Sequence, residues 1–263
     1  MTDPRTIVVT GATSGIGKAT ALRFASLGDK VVVSGRNSER GQLVAAECKK
    51  AGGDGLFIQS DLAGPETITK LAAQTMDAFG PAHVLVNSGG ILQSGQTVLD
   101  QPLDEDEALW RVNYRGTLVT CQVFGRQMKN TGRGAILNIG SLASFAPLSL
   151  PAYTPGKHAV LALTQILAAE LGPFGVRVNA VAPGYTMSEG LKSKIAAGER
   201  NPEAIKATTA LRAFVQPKDI ADAAEFLCSD KAAAITGVTL PVDAGWLVQA
   251  PYASYLQGNP IRE

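Results

Sequence analysis

The stretch TIVVTGATSGIG, residues 6–17, decides the fold of this chain. It opens with a β-branched apolar run that ends at Thr10, and such continuous runs are typical of buried parallel strands. Gly11 then permits a sharp turn, Gly15 lets the backbone approach a pyrophosphate, and Gly17 allows close contact between helix and sheet. Amide groups at the start of the following helix face the phosphates in such a turn. The stretch therefore predicts a strand, a turn and a helix around a dinucleotide.

The rest of the chain repeats this alternation of short apolar runs with longer amphipathic ones. The strand-like runs are Thr6–Thr10, Lys30–Ser34, Gly55–Gln59, His83–Asn87, Gly134–Ile139, Val176–Ala182 and Val238–Val242. Helical patterns cover Ser14–Leu27, Asn37–Ala51, Pro65–Phe79, Asp104–Lys129, Ala152–Leu171 and Lys218–Ser229. Such alternation produces right-handed crossovers between parallel strands. We expect an α/β fold: a Rossmann-type, doubly wound, seven-stranded parallel sheet flanked by helices on both faces, in a single domain spanning residues 1–263.

The composition argues against several classes of partner. The 263 residues are 45% hydrophobic and 18% charged, and their net charge is +1. This balance gives no electrostatic reason to expect nucleic acid or an anionic membrane surface. Cys48, Cys121 and Cys228 have no CxxC spacing, so we expect no metal site. Because the chain has neither a signal-like start nor an apolar run of membrane-spanning length, we expect a cytoplasmic protein.

A second informative motif is Tyr153-Thr154-Pro155-Gly156-Lys157. Four residues on a helix span about 6 Å and slightly more than one turn. Tyr153 and Lys157 would therefore point the same way, with an ammonium near a phenol that can act as a general acid/base. The structural alternative is a snorkelling lysine beside a surface tyrosine. Since proline is tolerated in the first turn of a helix, this helix is predicted to start near Pro151–Ala152.

Several motifs together occur in the order and spacing of one known family. They are TGATSGIG at 10–17, Asn87-Ser88-Gly89-Gly90, Asn113, Asn138-Ile139-Gly140-Ser141, YTPGK at 153–157, Pro183-Gly184 and Val242-Asp243-Ala244-Gly245. On these motifs, the chain resembles the compact, single-domain branch of the short-chain dehydrogenase/reductase family over residues 5–245. The resemblance implies an enzyme that moves hydride between NAD(H) or NADP(H) and an alcohol or carbonyl carbon.

The residue types and the resemblance suggest roles at the chemical site. Ser141 orients the substrate oxygen, Tyr153 moves the proton, and Lys157 lowers the pKa of Tyr153 and binds the nicotinamide ribose. The resemblance implies that Asn113 distorts its helix and holds a water that links the lysine to solvent. Substrate contacts are expected from Ser141, Ser144, Tyr153 and Tyr185. Asn87–Gly90 departs from the family's usual Asn-Asn-Ala-Gly, although Asn87 itself is retained.

The predicted cofactor site draws on turns after several strands. It comprises Gly11, Thr13, Ser14, Gly15, Ile16, Gly17, Arg36, Asn37, Asp61, Leu62, Asn87, Gly89, Tyr153, Lys157, Pro183, Gly184 and Thr186. An acidic residue after the second strand would favour NAD, but this chain has Arg36 there, which suits a 2′-phosphate. We therefore expect NADP, with NAD as the alternative.

Two further segments interrupt the regular pattern. The segment 184–211 follows a strand and is predicted to form a substrate lid with an amphipathic piece near residues 188–197. The tail 246–263 is rich in aromatic residues and suits either an interface or a frayed terminus; it carries Trp246, Tyr252, Tyr255 and Pro260. The resemblance implies a homodimer or a homotetramer.

These observations predict an NADP-preferring oxidoreductase that interconverts a secondary alcohol and a ketone of small size. The alternatives within the fold are an NAD-dependent polyol or sugar dehydrogenase and a 3-oxoacyl thioester reductase. An alternative of another class is a noncatalytic nucleotide-sensing protein, against which the Ser141, Tyr153 and Lys157 set argues.

Overall fold

The computed structural model describes residues 3–93 and 95–256. Its centre is a sheet of seven parallel strands in the order β3-β2-β1-β4-β5-β6-β7. The strands are β1 (Thr6–Thr10), β2 (Lys30–Gly35), β3 (Asp54–Gln59), β4 (Val84–Asn87), β5 (Gly134–Ile139), β6 (Val176–Pro183) and β7 (Thr239–Val242). The predicted doubly wound sheet is confirmed, and each predicted strand agrees to within one residue at both ends.

Helices follow the strands along the chain. They are α1 (Gly15–Ala25), α2 (Ser38–Lys50), α3 (Pro65–Phe79), α4 (Leu103–Leu109), α5 (Gly116–Thr131), α6 (Tyr153–Leu171), α7 (Glu189–Ala196), α8 (Pro202–Ala207), α9 (Pro217–Cys228) and α10 (Trp246–Leu256). Short 3₁₀ turns occur at Val98–Asp100, Leu142–Ser144, Gly172–Phe174 and Asp230–Ala232.

Three parts of the chain test the predicted helices. The helix predicted over 104–129 consists of α4 and α5 joined by one π-helical segment, Trp110–Arg115. Helix α6 begins at Tyr153, so Pro155 is its third residue and lies in the first turn, as predicted. The tail begins with α10, which contains Pro251 and was not predicted as a helix; residues 257–263 lie outside the described residues.

Apolar layers cover both faces of the sheet. Successive side chains of a strand point to opposite faces, so β1 directs Ile7 and Val9 to one layer and Val8 to the other. The first layer includes Phe24 of α1, and the second includes Phe124 of α5. Among the described residues, no helix is both long and apolar enough to cross a bilayer.

The strand order determines where a ligand can bind. Strands β2 and β3 extend from β1 in one direction and β4 to β7 extend in the other, so the order reverses between β1 and β4. In open α/β sheets, ligands bind at the carboxyl ends of the strands where the order reverses. Thr10 and Asn87 are register partners at the carboxyl ends of β1 and β4. The turn after Thr10 therefore opens into the crevice where the glycine motif is needed.

Candidate active site

A cleft of about 810 Å³ lies at this point of strand reversal. Residues predicted for the cofactor that line it are Gly11, Thr13, Ser14, Gly15, Ile16, Gly17, Arg36, Asn37, Asp61, Leu62 and Gly89. Residues that the sequence analysis did not name there are Thr10, Ser34, Gly35, Arg40, Ser60, Ser88, Gly90, Ile91, Leu92, Val112 and Ser188. The structure thus brings the turns after β1, β2, β3 and β4 together around one cleft.

The glycines of this cleft hold backbone segments in close approach. Gly11 has a φ of 64°, and a Cβ at this position would lie 2.4 Å from the Cα of Gly89. A Cβ on Gly17 would lie 2.4 Å from the carbonyl oxygen of Gly11. Gly15 also has a positive φ, 54°, yet no atom lies within 4 Å of its virtual Cβ. Gly11 and Gly17 therefore close the turn, while Gly15 leaves open space that fits a pyrophosphate against the start of α1.

The end of the cleft after β2 carries cations and no carboxylate on that strand. Arg36 is exposed, and the side chain of Asn37 accepts a hydrogen bond from the Arg40 backbone N–H at 2.9 Å, which caps α2. Arg40 also lines the cleft, and its spacing of four residues from Arg36 at a helix start was a signal that could have identified it. Asp61 lines the cleft after β3, but its Oδ1 accepts from the Ala63 N–H at 3.0 Å. The alternative role of a local turn is thus present for Asp61.

Asn87 lies in a buried polar network instead of among the residues that line the cleft. Its Oδ1 accepts from the Thr120 hydroxyl at 2.7 Å, and its Nδ2 donates to Asn138 Oδ1 at 2.9 Å. Asn138 in turn donates to Thr164 of α6 at 2.9 Å. The Asn87 side chain thus joins β4 and β5 to the helices behind them, and its contact with a cofactor stays a prediction. Cys121 packs into the same network as a buried, free thiol.

Asn113 sits inside the π-helical segment and faces the turn after β4. Its Oδ1 accepts from the Ile91 N–H at 2.8 Å, and its Nδ2 donates to the Ile91 carbonyl at 2.9 Å. The side chain is 3% exposed. The expected distortion of the helix at Asn113 is therefore present, and its physical effect is to hold the turn that lines the cleft. The predicted water relay stays a prediction.

Ser141, Tyr153 and Lys157 converge from two elements. Ser141 precedes the 3₁₀ turn after β5, and Tyr153 and Lys157 lie one turn apart on α6. The Lys157 Nζ lies 5.5 Å from the centroid of the Tyr153 ring, and the Ser141 side chain is near enough to the phenol to lower its pKa. Lys157 is buried and donates to the Ile139 carbonyl at 2.7 Å. The arrangement joins a hydroxyl donor, a phenol and a cation, which is the chemistry required for proton transfer to an oxygen.

The ionisation of this group departs from the expectation in one respect. Burial raises the pKa of Tyr153 and outweighs the effect of the Ser141 side chain, which lowers it. The net shift is therefore opposite to the lowering that was expected from Lys157. The reason is desolvation, which also lowers the pKa of Lys157 to about 8. Since 8 lies above neutrality, Lys157 is still mainly a cation at pH 7.

The Ser144 hydroxyl is engaged within the protein, and its predicted substrate contact stays a prediction. Its side chain is 3% exposed, its hydroxyl donates to the Lys157 carbonyl at 2.9 Å, and it accepts from the Ser141 N–H at 3.2 Å. The donor and one of the two acceptor lone pairs of the hydroxyl are thus used within the protein. Ser144 fixes the backbone of Ser141 against α6, which orients two of the site residues.

The remaining predicted residues follow β6. The Gly184 N–H donates to the Val242 carbonyl at 2.9 Å, and a Cβ on Gly184 would lie 2.6 Å from the Cα of Asp243. Thr186 donates from its hydroxyl to the Gly184 carbonyl at 3.0 Å. Pro183, Gly184, Tyr185 and Thr186 do not line the cleft, so their contacts with cofactor or substrate stay predictions.

The predicted lid contains α7 and α8 and reaches the cleft at one point. Ser188, which caps α7 by accepting from the Leu191 N–H, is among the residues that line the cleft. A second cavity of about 640 Å³ lies near the start of α6, between residues 95–98 and 147–151. Within the described part of the chain, no group of three or more His, Cys, Asp or Glu side chains could hold a metal ion.

Comparison with known proteins agrees with this geometry. The family model described as Enoyl-(Acyl carrier protein) reductase matches residues 11–247. L-rhamnose 1-dehydrogenase (NAD(P)(+)) of Azotobacter vinelandii is 35% identical, and the match covers 93% of this chain and 97% of that protein. A 3-oxoacyl-[acyl-carrier-protein] reductase of Synechocystis sp. is also 35% identical, with 92% and 96% covered.

A solved structure from Agrobacterium tumefaciens with bound NADP is 33% identical to this chain, with a TM-score of 0.84. The match covers 92% of this chain and 96% of that one. Fold, glycine turn and the Ser141, Tyr153 and Lys157 set thus coincide with similarity over most of the sequence. The chain belongs to the short-chain dehydrogenase/reductase family and is an NAD(P)-dependent oxidoreductase acting on CH–OH and C=O groups.

Proposed function

We propose that this enzyme prefers NADP and interconverts a secondary alcohol and a ketone, with Tyr153 as the general acid/base. The observation that carries the proposal is the convergence of Ser141, which follows β5, with Tyr153 and Lys157 of α6, described above. A purely structural tyrosine would need neither a hydroxyl partner on another element nor a buried lysine one turn away. A noncatalytic nucleotide sensor would not need this set.

The nicotinamide supplies or accepts the hydride when it is bound. The chain's own residues handle the oxygen of the substrate. Ser141 donates a hydrogen bond to this oxygen, where negative charge develops, and Tyr153 gives or takes the proton. Because burial raises the pKa of Tyr153, the phenol is protonated at neutral pH and is ready to donate in the reductive direction. Oxidation needs the phenolate, so its rate should rise with pH.

The preference for NADP rests on charge at the end of β2. The exposed Arg36 and the nearby Arg40 offer two guanidinium groups, which match a phosphate through charge-assisted hydrogen bonds. The residue types Ser34-Gly35-Arg36-Asn37 contain no carboxylate to repel that phosphate. The similar structure with bound NADP supports this preference, whereas the relative named for NAD(P)(+) keeps NAD open.

Two substrate classes follow from the relatives. The similarity to the rhamnose dehydrogenase favours a polyol or sugar as the substrate. The similarity to the acyl-carrier-protein reductase favours a 3-oxoacyl thioester. A homodimer or homotetramer is part of the proposal, on the family resemblance.

The test is a panel of simple ketones, 3-oxoacyl esters, sugars and sugar alcohols, each assayed in both directions with NADP(H) and NAD(H) by nicotinamide absorbance. We expect turnover with at least one carbonyl or alcohol and a higher kcat/KM with NADP(H). Turnover that is faster with NAD(H) on sugars or polyols would select the first alternative. Binding of the cofactor without turnover on any member would favour the noncatalytic class.

A further inference from the structure

Helix α6, which carries Tyr153 and Lys157, begins without a capping side chain of its own. The residue before it is Ala152, which has no side-chain acceptor. The Thr154 N–H bonds to the Leu150 carbonyl at 2.8 Å, and Pro155 has no N–H. The free amides at the start of a helix need partners when they are buried. The N–H groups of Ala152 and Tyr153 therefore require an acceptor from elsewhere in the chain.

Gln93, in the loop after β4, supplies that acceptor. Its Oε1 accepts from the Ala152 N–H at 2.9 Å and from the Tyr153 N–H at 3.0 Å. The side chain is 7% exposed, so these bonds are shielded from water. Its Nε2 donates to the Gln101 Oε1, and the Gln101 Nε2 donates to Glu105 at 3.3 Å. The orientation of the Gln93 amide is thus fixed by donors on one side and acceptors on the other.

The two segments joined by this contact also form the walls of the second cavity. One wall is residues 95–98, which follow Gln93, and the other is residues 147–151, which precede Ala152. The bonds from Gln93 hold these segments together next to the backbone of Tyr153. A loss of the bonds would let the first turn of α6 move relative to the turn after β5, where Ser141 lies.

We propose that Gln93 is a positioning residue for catalysis: it caps α6 across the loop and so fixes Tyr153 relative to Ser141. The inference rests on the proposed function, because it assigns a consequence to the position of Tyr153. Gln93 is separate from the glycine turn that holds the cofactor, and it bonds to the backbone of Tyr153 itself. The expected effect is therefore on kcat and not on the affinity for the cofactor.

The test compares three variants at a temperature well below their unfolding midpoints. Gln93→Met has similar length but no acceptor oxygen, Gln93→Glu keeps an acceptor, and Gln96→Met is the matched control. Gln96 lies on the same loop and bonds to Gln101 and Glu105, but not to α6. The measurements are kcat and KM on the best substrate of the panel, the Kd for NADPH from fluorescence, and amide hydrogen exchange at residues 152 and 153.

For Gln93→Met we expect kcat to fall about tenfold or more, because small displacements of a catalytic group have large effects, while the Kd for NADPH changes by about twofold or less. Exchange at residues 152 and 153 should accelerate. Gln93→Glu keeps the acceptor for α6 but loses the donor to Gln101, so it should recover only part of kcat, and Gln96→Met should match the wild type. A kcat of Gln93→Met equal to that of Gln96→Met would overturn the proposal, as would equal loss in kcat and in cofactor affinity.

If Gln93→Met does not fold, a milder substitution at the same position tests the proposal. Gln93→Asn keeps the amide on a shorter side chain, and a loss confined to kcat would support the proposal, whereas an unchanged kcat would reject it. Failure of the proposed function is distinguishable, since Tyr153→Phe would then retain turnover in the same assays. In that case, hydrogen exchange still decides whether Gln93 holds the start of α6.

Discussion

The two halves of the site are built from different parts of the chain. The cofactor half is formed by backbone, where Gly11, Gly17 and Gly89 allow turns to pack at distances that a Cβ would block. The catalytic half is formed by side chains on rigid elements, and each of Ser141, Tyr153 and Lys157 has a hydrogen-bond partner or a buried contact. The cofactor half therefore depends on the absence of side-chain atoms at its glycines, and the catalytic half depends on the positions of particular side-chain atoms.

This difference predicts opposite sensitivities to mutation. In the cofactor half, an added methyl group should do more harm than the loss of a polar side chain. In the catalytic half, the removal of one functional atom should abolish chemistry while the fold and the bound cofactor stay intact. The contrast is the same as that between shape complementarity and preorganised polar groups in other sites.

The largest effect that the comparison predicts is that of Tyr153→Phe. The variant removes one oxygen and keeps the ring, so kcat should fall about 10²- to 10⁴-fold, the usual range for a general acid/base. The Kd for NADPH should change little, because the glycine turn is untouched. Steady-state kinetics and fluorescence titration provide the two measurements. Tyr114→Phe, whose ring packs against Trp110 and which has no proposed contact with substrate or cofactor, is the matched control. Retained turnover in Tyr153→Phe would refute the acid/base assignment.

The next effect is that of Gly17→Ala in the cofactor half. The new Cβ would lie 2.4 Å from the Gly11 carbonyl oxygen, and one backbone segment must shift. Overpacking of this kind costs about 1–3 kcal/mol, so the affinity for NADPH or the free energy of unfolding should fall by that amount. Titration calorimetry and urea unfolding measure the two quantities.

Gly172→Ala is the control for this prediction, because no atom lies within 4 Å of its virtual Cβ and its backbone is helical. It should leave the affinity for NADPH unchanged. Equal behaviour of Gly17→Ala and Gly172→Ala would mean that the cofactor half does not depend on close backbone approach.

The cofactor half was the easier one to predict from sequence. A β-branched run and three glycines are local signals, and β1 has the predicted bounds Thr6–Thr10. The position at which α6 starts followed from Pro155 alone, since proline within a helix is tolerated in the first turn. The family resemblance likewise implied a distortion of the helix at Asn113, which the π-helical segment Trp110–Arg115 provides.

The parts that the sequence analysis missed depend on contacts between distant residues. Gln93 lies 60 residues from Tyr153, and no local pattern connects them. Ser144 is polar and close to Ser141 in sequence, but its partner is the carbonyl of Lys157 on another element. The direction of the pKa of Tyr153 was wrong because burial is a tertiary property. The aromatic tail has no helical pattern in its sequence, so α10, which contains Pro251, was not predicted.

Lys157 allows a test of how the catalytic half affects stability. Its pKa is lowered to about 8 in the folded protein against an ordinary 10.5, because burial disfavours the ammonium. Between these values the unfolded chain holds more protons than the folded one, so stability rises with pH in this window and is lost as pH falls through 8. Lys157→Met lacks this pH-dependent contribution to the free energy of unfolding. The stability of the wild type relative to the variant should therefore increase from pH 8 to pH 10, by at most about 1.4 kcal/mol per pH unit.

Urea unfolding at several pH values measures this difference, and Lys50→Met, an exposed lysine at the end of α2, is the control. The control should run parallel to the wild type. A parallel course for Lys157→Met as well would show that Lys157 is not desolvated in the folded protein.

The smallest predicted effect concerns Arg36, where the cofactor half relies on a side chain. Arg36→Ala removes an exposed guanidinium, and the affinity for NADP should fall about tenfold, in the range of a charge-assisted hydrogen bond. The affinity for NAD should not change, because NAD has no 2′-phosphate. Kd values for both cofactors measure the effect, with Lys50→Ala, at the far end of the helix that follows Arg36, as the matched change of charge. Equal losses for NADP and NAD would show that Arg36 does not contact the phosphate, and the cofactor half would then depend on backbone throughout.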